Sequence, residues 1–419
     1  MAGRTMIPLL MLLATICSAQ ETVTIDLSAD RGPVTYRASG FLHAMSATVP
    51  EPSLVDPLRP RLFRMAAEDW HKIGEGAFAN YQRVKKLGAR MQIVVSDSHG
   101  YSLAGWWPGD DGDYSRWEAI VERLVRQAQA GGYSIEWDIW NEPNGGYFWK
   151  RDQAQFFEAW SHGYRKIRSL DQKAVIVGPS LSSYDRKYLE SFLLYAQSNH
   201  MLPDVLSWHE FGDPRTIPAH ADEMRKFMGE QDIKITRICL NEVINAQQTP
   251  KPGVTAIYFA NMERAQIDGA CHACWGDKDG ASACENQSLD GILTHPDKQP
   301  RSPWWAYKGY ADITGRLVEV RPGASVDGVA GLDAQARTVR AILGRDGGSG
   351  DVQVDVAHVQ GSKVHVRAER IPASGWDAVA TPEDKLNADY AIGKGHLRIV
   401  LPDFGSSDAY MLTIQMPGK

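Results

Sequence analysis

The chain has 419 residues, with 45 Lys+Arg against 51 Asp+Glu and a formal net charge of −6, so it lacks the basic excess of a dedicated nucleic-acid binder. Hydrophobic residues at 43% and charged residues at 23% match a folded globular protein and exclude a disordered or collagen-like chain. The length admits two or three domains, or one (β/α)₈ barrel of about 250 residues with a smaller unit beside it. At the start, Arg4, an apolar run over 7–16 and the small residues Ser18 and Ala19 after Cys17 read as a signal peptide over 1–19. The run is too short for a bilayer, which needs about 20 apolar residues, so an exported protein with no membrane span is expected. Bulky Ile16 argues against acylation of Cys17.

A short β-rich opening (23–27, then 35–42) leads into alternating strand-like and helix-like segments, the pattern of a parallel sheet. Strands are predicted over 61–65, 89–95, 134–140, 174–178, 205–209, 234–241 and 270–275, and the strand ending near His43 makes eight. Between them, Trp117, Ile120, Val121, Leu124, Val125 and Ala128 recur at helical spacing, as do Phe156, Phe157, Trp160, Tyr164 and Ile167. Eight repeats favour a closed barrel over an open doubly wound sheet. No Gly-x-Gly-x-x-Gly or phosphate loop follows any strand, which removes the usual signature of nucleotide binding.

Past Pro303 a last helix is followed by Val-, Thr- and Gly-rich strands over 338–343, 351–358, 363–367, 396–401 and 410–415, separated by turns such as Gly347-Gly348-Ser349-Gly350. This is sandwich-like patterning. The expected division is a signal peptide over 1–19, an N-terminal strand over 20–35 that can join the sandwich, a (β/α)₈ TIM barrel over 36–316 and an accessory β-sandwich over 317–419.

Active sites of such barrels sit at the C-terminal ends of the strands. The fourth barrel strand runs into Asn141-Glu142-Pro143-Asn144-Gly145, which displays Glu142 at an abrupt turn. The seventh ends in Asn241-Glu242 and brings a second carboxylate to the same rim. Two carboxylates facing each other across a scissile bond are the recurrent machinery of glycoside hydrolysis, one protonated and one ionised. Repulsion and desolvation would raise one pKa above the usual ~4.3 for Glu. No metal and no cofactor is expected, because the His and Asp residues a metal site would need are not clustered at ligand spacing in the sequence.

Trp140-Asn141-Glu142-Pro143-Asn144, with a second Glu at the seventh strand, resembles clan A glycoside hydrolases. The later β-sandwich and Pro303-Trp304-Trp305-Ala306-Tyr307-Lys308 narrow the resemblance to family 39. The resemblance implies a retaining enzyme with Glu142 as acid/base and Glu242 as nucleophile, their carboxyl groups about 5 to 5.5 Å apart. It implies that Asn141 bonds the sugar 2-hydroxyl and that Arg64 keeps the nucleophile ionised. His209 fits a clan histidine, but Phe211 stands where the clan often has a Tyr that steadies the nucleophile. Glu210 is a candidate for that role or for a substrate contact. Trp275 resembles the indole floor of the sugar subsite, and His43, at the top of the first strand, is a further candidate sugar contact. The long loop over 96–113, carrying His99, Tyr101, Trp106 and Trp107, is expected to shape further subsites.

Signal cleavage would leave Cys239, Cys271, Cys274 and Cys284, an even number that permits three pairings. Cys271-His272-Ala273-Cys274 has no second matching pair to complete a zinc site, and a Cys274–Cys284 bridge is the more plausible use. The expected partner is an oligosaccharide or polysaccharide, β-xylosidase-like or arabinose-containing substrates first, with no nucleic acid or membrane. An exopolysaccharide-cleaving endo-glycosidase and a non-catalytic carbohydrate-binding protein are the alternatives. Nothing in the sequence sets the oligomeric state.

Overall fold

A computed structural model of the protein describes residues 20–43, 45–68, 76–101 and 104–417. The expected signal peptide lies outside the described residues. Eight parallel strands close a barrel in chain order: β2 (Gly40–Leu42), β3 (Leu62–Ala66), β4 (Arg90–Val94), β5 (Glu136–Asp138), β6 (Val175–Leu181), β7 (Val205–Glu210), β8 (Arg237–Val243) and β9 (Gly269–His272). Closure is made where Phe41 pairs with His272. Gly40 permits that approach, since a Cβ there would meet the Ala270 carbonyl oxygen at 2.2 Å.

Helices pack outside the barrel. The helix Ser115–Gly131 buries Trp117, Val121, Leu124, Val125 and Ala128 on one stripe and stops at Gly132, whose φ of 64° lets its N–H close on Ala128 and Gln129. The next helix, Gln153–Leu170, is capped by the Asp152 carboxylate, which accepts from the Gln155 N–H. It buries Phe156, Phe157 and Trp160, each side chain stabilising by roughly 1.5–3 kcal/mol. The indole of Trp117 donates to the Ala159 carbonyl at 2.9 Å and ties the two helices together.

The remaining strands form one nine-stranded mixed sheet. It contains β1 (Glu21–Pro33), β10 (Arg316–Arg321), β11 (Val326–Asp333), β12 (Thr338–Arg345), β13 (Gly350–Ala357), β14 (Lys363–Ile371), β15 (Glu383–Ala391), β16 (His396–Phe404) and β17 (Ala409–Gln415). β1 lies between β10 and β13, so the N-terminal segment is an interior strand of this unit. The sheet bends around its own apolar core of Val, Ile and Leu, with Val354, Ile399 and Ile414 fully buried. The architecture is a TIM barrel with a β-sandwich-type accessory unit. Among the described residues no helix is long and apolar enough to cross a membrane.

Several predicted strand ends shift, and two of these shifts bear on the site. The fourth barrel strand stops at Asp138 rather than continuing to residue 140, and the eighth stops at His272, leaving Trp275 in the following loop. That loop is closed by a Cys274–Cys284 disulfide with Cα atoms 5.0 Å apart, while Cys239 and Cys271 are buried thiols.

Candidate active site

Alternation along the barrel strands sends Arg64 of β3 and Asp138 of β5 into the interior, where each is 1% exposed or less. The Arg64 guanidinium is a hub. It donates to Asp138 Oδ2 at 2.8 Å, to Glu242 Oε1 at 2.7 Å and to Asn141 Oδ1 at 2.8 Å. Asp138 also accepts from Ser180 Oγ at 2.7 Å and from Asn241 Nδ2 at 2.9 Å. These bonds hold a carboxylate that burial would otherwise penalise heavily.

Glu142 stands four residues beyond the end of the strand at Asp138, on a backbone with φ of 46°. Its N–H donates to the Ser180 carbonyl at 2.8 Å, and the Gly145 N–H donates to its own carbonyl at 2.9 Å. A non-glycine residue in the left-handed region carries local strain, which the flanking bonds hold in place. The turn aims the side chain back over the barrel mouth. Glu142 Oε1 lies 2.9 Å from Nδ1 of the fully buried His209, and His209 Nε2 lies 3.8 Å from Glu242 Oε1. One oxygen of Glu142, one of Glu242 and a His209 nitrogen lie within 4.8 Å of one another.

Burial raises the Glu142 carboxyl above its ordinary value, with only the more distant charge of Arg64 opposing it. Burial and the neighbouring Glu142 charge also raise Glu242, against the pull of Arg64, which is bonded to it directly. The two carboxyls therefore differ in kind: Glu242 carries a fixed cation at bonding distance and Glu142 a neutral ring. His209 is neutral because burial pushes it down to about 4. Burial pushes Asp97 up to about 6, near Arg64 and Asp138, and it accepts a hydrogen bond from Tyr101.

By residue type and distance Glu142, His209 and Glu242 could hold a cation. The guanidinium already on Glu242 opposes one electrostatically, and His209 Nδ1 is engaged with Glu142.

The remaining predicted residues divide. Asn141 joins the group, its side-chain oxygen taken by Arg64 and its Nδ2 left to donate. His43 lies at the end of β2 with φ of 46°, its N–H bonded to the Arg64 carbonyl; burial and the charge of Arg64 push its ring down to about 3. Trp275 packs edge-on to Phe211 with ring centroids 5.2 Å apart, and Phe211 in turn packs on His209, so the ring in the expected Tyr position forms an apolar wall. Glu210 does not join. Its Oε1 accepts from the Trp208 indole and pairs with His220, both at 2.7 Å, because strand alternation puts it on the outer face with Trp208, opposite His209. The loop expected to line subsites also turns inward: His99, Tyr101 and Trp107 are buried against Trp140, and Trp106 lies under Arg116.

Sequence reading missed Asp138, Ser180 and Asn241. Asp138 had a usable signal, a charged residue at an inward position of an otherwise apolar strand. Ser180 had none, since it reaches the site through a backbone φ of 55°.

The barrel, the paired carboxyls and the accessory sheet define a class. The family model "Glycosyl hydrolases family 39" matches residues 106–251. A 3-O-beta-L-arabinopyranosyl-alpha-L-arabinofuranosidase of Bifidobacterium pseudocatenulatum is 23% identical over 94% of this chain and 47% of its own length. The structure of N2152 from Neocallimastix frontalis superposes with a TM-score of 0.83 at 25% identity, covering 95% of this chain and 100% of that one. A monomeric beta-xylosidase from Caulobacter crescentus CB15 shares the fold, with a TM-score of 0.66 at 14% identity over 94% of this chain and 99% of that one. The chain is similar to clan A glycoside hydrolases. Within the clan it is most like glycoside hydrolase family 39. It spans less than half the length of the curated arabinofuranosidases it matches.

Proposed function

We propose that the protein is an exported retaining glycosidase in which Glu242 is the nucleophile and Glu142 the acid/base. The observation that carries this reading is the pair of carboxyl groups approaching within 4.8 Å, one bonded to a guanidinium and the other to an imidazole. That spacing suits direct attack, whereas an inverting pair stands about 6.5–9.5 Å apart to admit a water. Glu242, ionised beside Arg64, attacks the anomeric carbon as protonated Glu142 gives its proton to the departing glycosidic oxygen. Glu142 then takes a proton from water, which displaces Glu242 and restores the original configuration. With the neutral ring's proton on Nδ1, His209 donates to Glu142 Oε1 and leaves the acid's own proton on the other oxygen, for the glycosidic oxygen. The free Asn141 Nδ2 is oriented toward a sugar hydroxyl whose contact strengthens as charge develops.

The names of the relatives support arabinose-containing oligosaccharides first and β-xylosides second. The disulfide supports export, since such bonds persist in oxidising compartments. A panel of aryl glycosides and oligosaccharides tests the sugar, and Glu142→Gln and Glu242→Gln test the roles. Turnover should fall on the order of 10³-fold or more with binding kept; two fully active variants would sink the assignment. The pH profile adds a sign. Wild type loses activity as pH falls and Glu242 takes a proton, and again as pH rises and Glu142 loses one. On a substrate with an activated aryl leaving group, which needs no acid, Glu142→Gln should lack the alkaline limb.

A further inference from the structure

We propose that Tyr147 is the platform for the leaving-group sugar, so that the substrates are glycosides whose leaving group is itself a sugar ring. This rests on the assignment of Glu142 as the acid. An acid must stand beside the glycosidic oxygen, on the side of the bond where the leaving group lies, so residues on its own turn border that group. The turn approaches the carboxyl closely: a Cβ placed on Gly145 would lie 3.7 Å from Glu142 Oε2.

Two residues further on, Tyr147 is 58% exposed, the most exposed large hydrophobic side chain among the described residues. Isolated exposed apolar residues are ordinary on protein surfaces. Tyr147 is not isolated. Its ring stands 4.8 Å from Phe148 in an edge-on contact and 6.5 Å from Tyr101, and Phe148 packs edge-on to Tyr101 at 4.9 Å. The Trp140 indole donates to the Phe148 carbonyl at 2.9 Å and fixes the turn to the barrel wall. The aromatic wall is thus anchored from behind and open in front. Phe211 and Trp275 form a separate wall, Phe211 packed on His209 and the Trp275 indole donating to the Ile244 carbonyl two residues past Glu242. Two apolar surfaces flank the carboxyl pair, and a flat ring complements the C–H face of a sugar. The nucleophile-side wall serves the sugar that is transferred, and Tyr147 serves the one that leaves.

The test compares two substrates sharing one glycone, L-arabinofuranosyl or D-xylosyl: a disaccharide, and the glycosyl fluoride, whose leaving group has no ring to stack. For Tyr147→Ala, kcat/KM on the disaccharide should fall about tenfold, chiefly through KM, while the fluoride is hydrolysed as by wild type. Tyr147→Phe, which keeps the ring, should restore the disaccharide activity. An equal fall on both substrates, or no fall on either, would overturn the role of Tyr147 and leave the glycosidase reading standing. A wild-type protein inert on both substrates for both glycones would overturn the two together.

Discussion

The barrel carries a charged cluster at each end, and the two are built differently. At the N-terminal end Arg90 and Arg237 face Glu136 and Asp268, two cations for two carboxylates. Arg90 bonds Glu136 at 2.9 Å, Arg237 bonds Asp268 at 2.9 Å, and Gln92 donates to the second Glu136 oxygen at 3.0 Å. Although burial raises Asp268, Arg237 and Arg90 outweigh it and hold the carboxyl below its ordinary value. At the C-terminal end one cation, Arg64, serves Asp138 and Glu242 directly, with Glu142 and Asp97 nearby, and all four carboxyls are raised. Balanced charge at one end ties the starts of β4, β5 and β8 to Asp268 before β9. Fewer cations among the described residues at the other leave its carboxyls raised, the condition that the proposed general acid would use.

The comparison is broken most severely by removing Arg64, the one cation bonded to the upper carboxyls among the described residues. Arg64→Met should cost about 3–5 kcal/mol, because Asp138 and Glu242 are left buried without a partner. Any folded fraction should show the acid limb of its pH profile moved to higher pH, since Glu242 loses the charge that favours its ionised form. Denaturant unfolding and a pH–rate profile measure the two effects. A smaller effect sharpens the contrast. Arg237→Met leaves Glu136 bonded to Arg90 and Gln92 and lies at a partly exposed position, so about 1 kcal/mol is expected. Its kcat/KM should equal that of wild type; a tenfold loss would mean that the two clusters are coupled through the barrel.

Much of this arrangement was legible in the sequence, for a physical reason. Period-two and period-3.6 patterning gave the eight β/α repeats, and the abrupt Asn141-Glu142-Pro143 turn after an apolar strand marked where a carboxyl would be displayed. Arg64, Asn141 and His209 lie next to strand ends, and the fold brings them together with Glu142 and Glu242. Part of what escaped depends on a local backbone departure that patterning does not encode: the left-handed conformation of Ser180 delivers its hydroxyl to Asp138. Alternation along β7 places Glu210 on the outer face with Trp208, opposite His209. The loop after the third barrel strand folds its aromatics inward because Trp140 offers them a buried surface, so the exposed ring comes instead from the turn that carries Glu142.

The central claim is that the two rim carboxyls hold different offices, set by the guanidinium on one and the imidazole on the other. Azide rescue of Glu142→Gly and Glu242→Gly reads this directly, through the anomeric configuration of the glycosyl azide formed. Glu242→Gly should yield the inverted azide, formed by direct displacement, and Glu142→Gly the retained one, formed from the glycosyl-enzyme. The opposite pattern would contradict the assignment of both residues.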